Sequence, residues 1–310
     1  MSAWFAALLL AAVTVLLGCR IADTDAVTPV PQLLAFLPWL LVPTGAGLLL
    51  ALLGRWWGGV VWGVVVLGLL AWFIQPYGKD SEPAGPAVAS FRVLTSNTQF
   101  GRATDALVAA VREQRPDVVF VQECDHLRCD TTLRRELAAT YPYRQSVDGA
   151  GSQGSVILSR FPLTAAPGVP ASMGMPGAVA DVHGHAVHLQ LAHPMPPVPG
   201  GLGPWRRELG RLRDFAAAAR GTPTIVAGDF NASQDHAAFR RILDTGLYDA
   251  ARLAGHDRAP SWPSRTTPVF GVQIDHVLLS GDFSVTRSRF LKLAGSDHRT
   301  LVTDVTLHRR

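Results

Sequence analysis

The chain has 310 residues, with 28 Lys+Arg against 24 Asp+Glu and a hydrophobic share of 48%. Residues 1–78 carry only Arg20, Asp23, Asp25 and Arg55, and the remaining 232 residues carry all the other charges. This excludes a single soluble domain, a disordered chain and a collagen-like fibre, while the charged remainder is long enough to bury its own core.

Three uncharged runs, 1–19, 26–54 and 56–78, fill the first part. A bilayer span needs roughly 20 apolar residues in helical form. The pattern predicts three transmembrane helices near 3–19, 33–53 and 57–74, with kinks at Pro38 and Pro43 in the second. Trp39, Trp56, Trp57 and Trp72 fall near the expected span ends, where indole rings favour the interface. Arg55, alone in the short turn between the second and third spans, is placed in the cytoplasm by the positive-inside rule. Three spans then put the rest of the chain on the extracytoplasmic side of the cell membrane. Leu-Leu-Gly-Cys19 resembles a lipoprotein cleavage site, but no Lys or Arg precedes the apolar stretch, so a retained span is favoured over a signal peptide. Residues 1–78 thus read as a multi-pass anchor in the lipid bilayer and 79–90, rich in Pro, Gly and small residues, as a linker.

From residue 91 onward strands and helices intermingle. Strands are predicted at 91–97, 117–123, 155–160, 186–192, 224–229, 274–280, 284–291 and 301–307, and helices at 104–114, 131–139, 205–220 and 235–243. Periodicity separates the two kinds, and Pro116 and Pro204 punctuate them. Several strands follow one another without a helix, which favours two mixed sheets face to face with helices outside. Cys124 and Cys129 lie close in sequence. A disulfide suits an oxidising exterior; free thiols, or a metal site with His126, are the alternatives.

Polar groups end several of these apolar runs. Asn97, Glu123, His193 and Asp229 each close a strand, Asn231 follows two residues on, and Asp275 and His276 open another strand. Gly295-Ser-Asp297-His298 precedes the last strand. Gathered at one rim, these ends assemble carboxylates, amides and imidazoles. Oxygen donors suit Mg²⁺ or Mn²⁺, imidazoles bind phosphate or move protons, and the combination suits phosphoester hydrolysis. Each motif alone is ordinary turn or cap chemistry; the ordered set is not.

Ser96-Asn97, Val121-Gln-Glu123, Gly154-Ser-Val-Ile-Leu-Ser-Arg160, Leu191-Ala-His193, Ala227-Gly-Asp-Phe-Asn231, Ile274-Asp-His276 and Gly295-Ser-Asp-His298 together resemble the endonuclease/exonuclease/phosphatase superfamily, the DNase I-like fold. The resemblance spans residues 91–307 and implies a four-layered α/β sandwich. It implies that Asn97 and Glu123 hold the metal with Asp297 as a further ligand. His298 would be the acid/base histidine oriented by Asp275, and His193 would contact the scissile phosphate. Asp229 would position or activate the attacking water, Asn231 would hold phosphate oxygens, and His276 is read as structural. Some family nucleases carry a tyrosine mid-domain, close to the phosphate; Tyr141 and Tyr143 are present here, and neither is assigned to that position. The Pro/Gly-rich stretch after His193 replaces a simpler loop, and it and Trp262 either shape substrate access or merely cover the surface.

The fold does not choose a substrate. Residues 79–310 carry 26 basic and 22 acidic residues, mild support for a polyanionic partner. The cluster Arg206, Arg207, Arg211 and Arg213, interleaved with Glu208 and Asp214, reads equally as a solvated helix face. A nuclease-like phosphodiesterase is expected first, a lipid-headgroup phosphodiesterase or phosphatase second, and a silent binding protein last. The phosphodiester partner is accordingly a nucleic acid or a lipid headgroup.

Overall fold

The computed structural model describes residues 2–80, 83, 85–267 and 269–309. Contacts divide the chain into two compact units: Met1–Tyr77 with Ser233–Arg240, and Gly78–Ala232 with Arg241–Arg310.

In the first unit, α1 (Ser2–Ile21), α2 (Val30–Leu34), α3 (Leu41–Leu53) and α4 (Trp57–Ile74) follow one another. Val13, Leu17, Leu34, Leu37, Val66 and Leu70 form their shared core. Two helices, α1 and α4, are long and apolar enough to cross a membrane. The second expected span, 33–53, does not form as one helix. Its chain is α2, a 3-10 turn at Leu37–Leu40 and then α3. Pro38 sits at the start of the 3-10 turn, where its missing N–H harms nothing, and Pro43 fits the first turn of α3. With 13 residues, α3 spans only about 20 Å at 1.5 Å per residue. The Ser233–Arg240 segment is held in this unit by polar contacts. Asp25 Oδ2 accepts from the Ala238 N–H at 3.0 Å, His236 Nε2 meets the Pro31 carbonyl at 2.8 Å, and Asp23 pairs with Arg240.

In the second unit, β1 (Ala87–Asn97), α5 (Thr104–Gln114), β2 (Val118–Gln122), α6 (Thr131–Leu137), β3 (Tyr143–Val147), β4 (Ser155–Ser159), β5 (Leu163–Ala166), β6 (Gly177–Val182) and β7 (His185–Ala192) come first. Then follow α7 (Leu202–Ala218), β8 (Thr224–Asp229), α8 (Ala237–Leu243), whose first turn belongs to the helical unit, β9 (Tyr248–Asp249), α9 (Ala250–Leu253), β10 (Asp275–Leu279), β11 (Phe283–Lys292) and β12 (Arg299–His308). Ser81, Glu82 and Ala84 of the expected linker lie outside the described residues, and β1 begins at Ala87, inside that linker.

The strands form two six-stranded sheets, ordered β11-β12-β1-β2-β4-β3 and β5-β6-β7-β8-β10-β9. Phe120, Ile157, Leu189, Ile225, Val277 and Leu301 are among the buried side chains packed between them; burying one such side chain contributes about 1.5–3 kcal/mol. A second layer of Leu107, Val111, Leu133 and Leu137 seals α5 and α6 onto the first sheet. Helix α5 shows how the sequence produces this: its apolar positions at i, i+3 and i+4 face the sheet, and Arg115 closes it in the left-handed conformation (φ 49°) before Pro116. Both sheets are antiparallel except for the pairs β1/β2 and β7/β8. These exceptions matter, because two parallel neighbours end on the same side.

Candidate active site

Register brings the polar strand ends together. Asn97 pairs with Gln122 at the end of β1/β2, so Glu123 leaves the sheet beside Asn97. Ala192 pairs with Gly228 at the end of β7/β8, which sets His193 next to Asp229. Antiparallel β10 starts with Asp275 directly opposite Asp229. Antiparallel β12 starts at Arg299, where β1 ends, so His298 arrives at the same rim.

Gly228 (φ 154°) allows the β7/β8 approach: a Cβ there would stand 1.9 Å from the Ala192 carbonyl oxygen. We expect Gly228→Ala to destabilise the unit by about 1–3 kcal/mol, the usual cost of overpacking, read as a lowered Tm; an unchanged Tm would show that the two strands have slack.

The cluster is continuous. Asn97 Nδ2 donates to Glu123 Oε1 at 3.1 Å and to Asp229 Oδ2 at 3.0 Å, bridging two acids. Glu123 Oε2 accepts from the Phe100 N–H at 2.9 Å. Asp229 Oδ1 accepts from the Asn231 N–H at 2.8 Å, and its Oδ2 faces His298 Nε2 at 3.6 Å. His298 Nδ1 meets Asp275 Oδ2 at 2.9 Å. His193 Nε2 lies 3.9 Å from Glu123 Oε1, and its buried Nδ1 has no hydrogen-bond partner among the described residues.

Burial sets the charges. It lowers His193 to about 4, so this ring is neutral at pH 7. Burial also opposes charge on His298, but the Asp275 and Asp229 carboxylates outweigh it and lift the ring to about 10. Burial raises Asp229, against the pull of His298. Burial, joined by the neighbouring Asp229 carboxylate, raises Glu123 despite its Asn97 bond. The backbone is strained here too: Gln99, Phe100, Glu123 and Asn231 all have φ between 48° and 57°, a conformation non-glycine residues hold where surrounding structure enforces it.

Residues 94–298 match the sequence profile of the Endonuclease/Exonuclease/phosphatase family. The chain belongs to that family. It is a phosphoester hydrolase of the family. Solved structures share the DNase I-like sandwich. An endonuclease/exonuclease/phosphatase from Beutenbergia cavernae is 22% identical with a TM-score of 0.58, covering 71% of this chain and 72% of that one. An AP endonuclease from Archaeoglobus fulgidus is 14% identical with a TM-score of 0.56, covering 69% and 98%. Sphingomyelinase C from Streptomyces griseocarneus is 19% identical with a TM-score of 0.51, covering 70% and 99%. At these identities the likeness concerns the fold alone. No curated protein matches the chain.

Of the residues singled out in the sequence of this family member, Asn97, Glu123, His193, Asp229, Asp275 and His298 meet in the cluster described above. Asn231 stands beside it, but its amide Nδ2 donates to the Pro194 carbonyl at 3.0 Å. Asp297 is half-buried, and its Oδ2 accepts from Trp262 Nε1 at 3.3 Å. His276 lies apart, buried between Asp249 Oδ2 (2.6 Å) and the Ala232 carbonyl (3.0 Å). Tyr141 bonds the Pro116 carbonyl at the opposite end of β2 from Glu123, so it takes no part. Among the described residues, one group of acids and histidines sits closely enough to hold a metal ion: Asp229, Asp275 and His298, with ligand atoms within 4.8 Å of one another.

The sequence reading missed several supports. Ser261 Oγ accepts the N–H groups of Ile274 and Asp275, fixing the start of β10. Ser296 Oγ donates to the Asn97 carbonyl and accepts from the His298 N–H. Trp205 Nε1 donates to the Asn231 carbonyl. Glu208 is not part of a solvated face. It is 3% exposed and accepts from Ser172 N, Ser172 Oγ and the Met195 N–H, tying down the loop that follows His193. The four arginines on that helix are exposed, as a solvated face requires.

Proposed function

We propose that the protein is a divalent-metal-dependent phosphodiesterase, nuclease-like, whose catalytic residues are His193, Asp229, Asn231, Asp275 and His298. The observation carrying this reading is the chain of contacts from Asp275 through His298 and Asp229 to Asn97 and Glu123. It joins a proton-holding pair to an oxygen-rich corner.

Two sets compete for the cation. In the Asp229–Asp275–His298 group, the charged ring directs both nitrogens at carboxylates. A protonated imidazole offers no lone pair for ligation, and its own charge already offsets part of the acids' charge. Glu123 fits better: its carboxyl is raised by burial and by Asp229, which marks negative charge that a cation would relieve. Glu123, Asp297 and Asn97 would hold Mg²⁺ or Mn²⁺. The Asn97 Nδ2, not its oxygen, faces Glu123 and Asp229, so the oxygen joins only after a half-turn of the amide. A bound cation supplies polarisation of the phosphoryl oxygens and neutralises charge on the leaving oxygen.

The chain's own residues do the rest. Asp229, a carboxylate made more basic by burial, orients the attacking water and accepts its proton. His298, held in one orientation by Asp275, presents a charged N–H at Nε2 to the developing phosphorane. Neutral His193 donates from a ring nitrogen to a phosphoryl oxygen, and Asn231 adds its amide. Removing the metal with EDTA should reduce turnover of bis-p-nitrophenyl phosphate by the full-length protein in detergent by about 10²-fold or more, with Mg²⁺ or Mn²⁺ restoring it. Turnover that survives chelation would take the cation out of the reading.

A lipid-headgroup substrate is the second reading, and the helical unit favours it. Trp4, Leu53, Trp57, Val61 and Trp72 are each more than 60% exposed on the apolar helices, more apolar surface than a water-soluble unit tolerates. On this basis residues 1–78 act as a multi-pass anchor in a cell membrane, joined through 79–90 to a catalytic domain at 91–310. The Cys124–Cys129 disulfide supports an extracytoplasmic position for that domain. Assaying plasmid DNA, RNA and sphingomyelin side by side separates the two substrates.

A further inference from the structure

Beside Glu123 lies a feature the reaction itself does not use. Gln99 and Phe100 are consecutive non-glycine residues in the left-handed region, φ 48° and 57°. Glu123 fixes the Phe100 backbone by taking its N–H at 2.9 Å, and the ring is left 49% exposed. The Arg102 guanidinium stands 5.8 Å from the ring centroid. Across the rim, Arg265 Nη2 donates to Gln99 Oε1 at 2.7 Å. Neither arginine makes an ion pair among the described residues. Arg265 shares its loop with Trp262, whose indole N–H reaches Asp297.

An exposed ring costs hydrophobic free energy, and two adjacent left-handed residues cost backbone strain. Together they hold an aromatic ring at the edge of a phosphodiester site, with the Arg102 guanidinium over one face and Arg265 bonded to the neighbouring Gln99. An aromatic face beside cationic groups is how proteins bind single-stranded nucleic acid: the ring stacks on a base and the arginines follow the backbone.

We propose that Phe100, flanked by Arg102 and Arg265, is a stacking platform for an unpaired base adjoining the scissile phosphate, so that the substrate is a single-stranded or locally unpaired nucleic acid. This rests on the phosphodiesterase reading and narrows its substrate.

The test uses full-length protein in detergent with EDTA, so that the strand stays intact. Binding of a fluorescein-labelled eight-nucleotide DNA is compared, by anisotropy, with an abasic strand of equal length. Wild type should prefer the base-bearing strand. Phe100→Ala should weaken binding of that strand by about 5- to 150-fold, the range for one base–aromatic stack, while the abasic strand binds as before. Phe100→Trp, which keeps an aromatic face, should retain the preference. Arg102→Ala and Arg265→Ala should weaken both strands and each reduce the salt slope by about 0.7. An unchanged Tm for Phe100→Ala, whose backbone N–H still reaches Glu123, excludes misfolding.

Equal binding of the two strands by wild type, or no effect of Phe100→Ala, would overturn the platform. So would displacement of the strand by sphingomyelin micelles that depends on Phe100, which would assign the ring to a lipid surface. Turnover of bis-p-nitrophenyl phosphate by wild type reports on the phosphodiesterase reading separately: its absence defeats that reading, whereas its presence with a null anisotropy result defeats the platform alone.

Discussion

Replacing His298 with glutamine is expected to lower kcat for bis-p-nitrophenyl phosphate by about 10²–10⁴-fold, the usual contribution of a positioned acid or base. Glutamine keeps an amide that can bond Asp275 Oδ2, but it carries neither the charge nor a transferable proton. The wild-type ring is charged because Asp275 and Asp229 outweigh its burial, and it points Nε2 toward Asp229 from 3.6 Å. The phosphate-binding groups His193 and Asn231 stay in place, so KM should move by only a few-fold, the signature of an interaction made mainly in the transition state. Asp275→Asn should produce a smaller fall, because the ring remains but loses part of what holds and charges it. Glutamine matters as the choice: alanine would leave the buried Asp275 Oδ2 without the donor that His298 supplies, and a folding defect would obscure the kinetics. A kcat within tenfold of wild type, with Tm preserved, would remove His298 from the chemistry.

The site was legible because strand register does the assembly. Asn97, Glu123, His193 and Asp229 each stand at the end of an apolar run, and the parallel pairs β1/β2 and β7/β8 align those ends. What the sequence hid depends on distant partners. Glu208 looks like one of several charges on an amphipathic helix, and only Ser172 and Met195, 36 and 13 residues away, make it a buried anchor. Phe100 looks like any loop phenylalanine until its backbone bond to Glu123 fixes the ring outward. Strands β3, β5, β6 and β9 escaped the reading for a related reason. β3, β5 and β9 are at or beside sheet edges, short and largely polar or alanine-rich, and β6 opens on Gly177 and carries Asp181. Their strand character comes from a neighbour's hydrogen bonds rather than their own composition. The second expected span failed similarly: continuous hydropathy over 33–53 conceals the break ahead of Pro38, which is a matter of backbone geometry.

The two site histidines also predict how stability varies with pH in metal-free protein. His298 is raised from 6.5 to about 10. Between those values the folded chain holds a proton that the unfolded chain has lost, so its stabilisation is complete below pH 6.5 and disappears as pH rises through 10. His193 is lowered from 6.5 to about 4. Between pH 4 and 6.5 the unfolded chain binds a proton that the folded one refuses, so stability falls as pH drops below 6.5. Each limb changes by about 1.4 kcal/mol per pH unit where one proton differs, which amounts to several kcal/mol on the basic side. Asp229, raised by burial, holds a proton in the fold above its unfolded value and so flattens the lower end of the acid limb. The expected curve of Tm against pH therefore peaks near 6.5 and declines toward both 4 and 10. His298→Gln should erase the descent between pH 6.5 and 10 while keeping the acid limb, and His193→Gln should do the reverse. A wild-type curve flat from pH 6.5 to 10 would mean that His298 is neutral in the fold, and the charged ring on which the proposed mechanism depends would be lost with it.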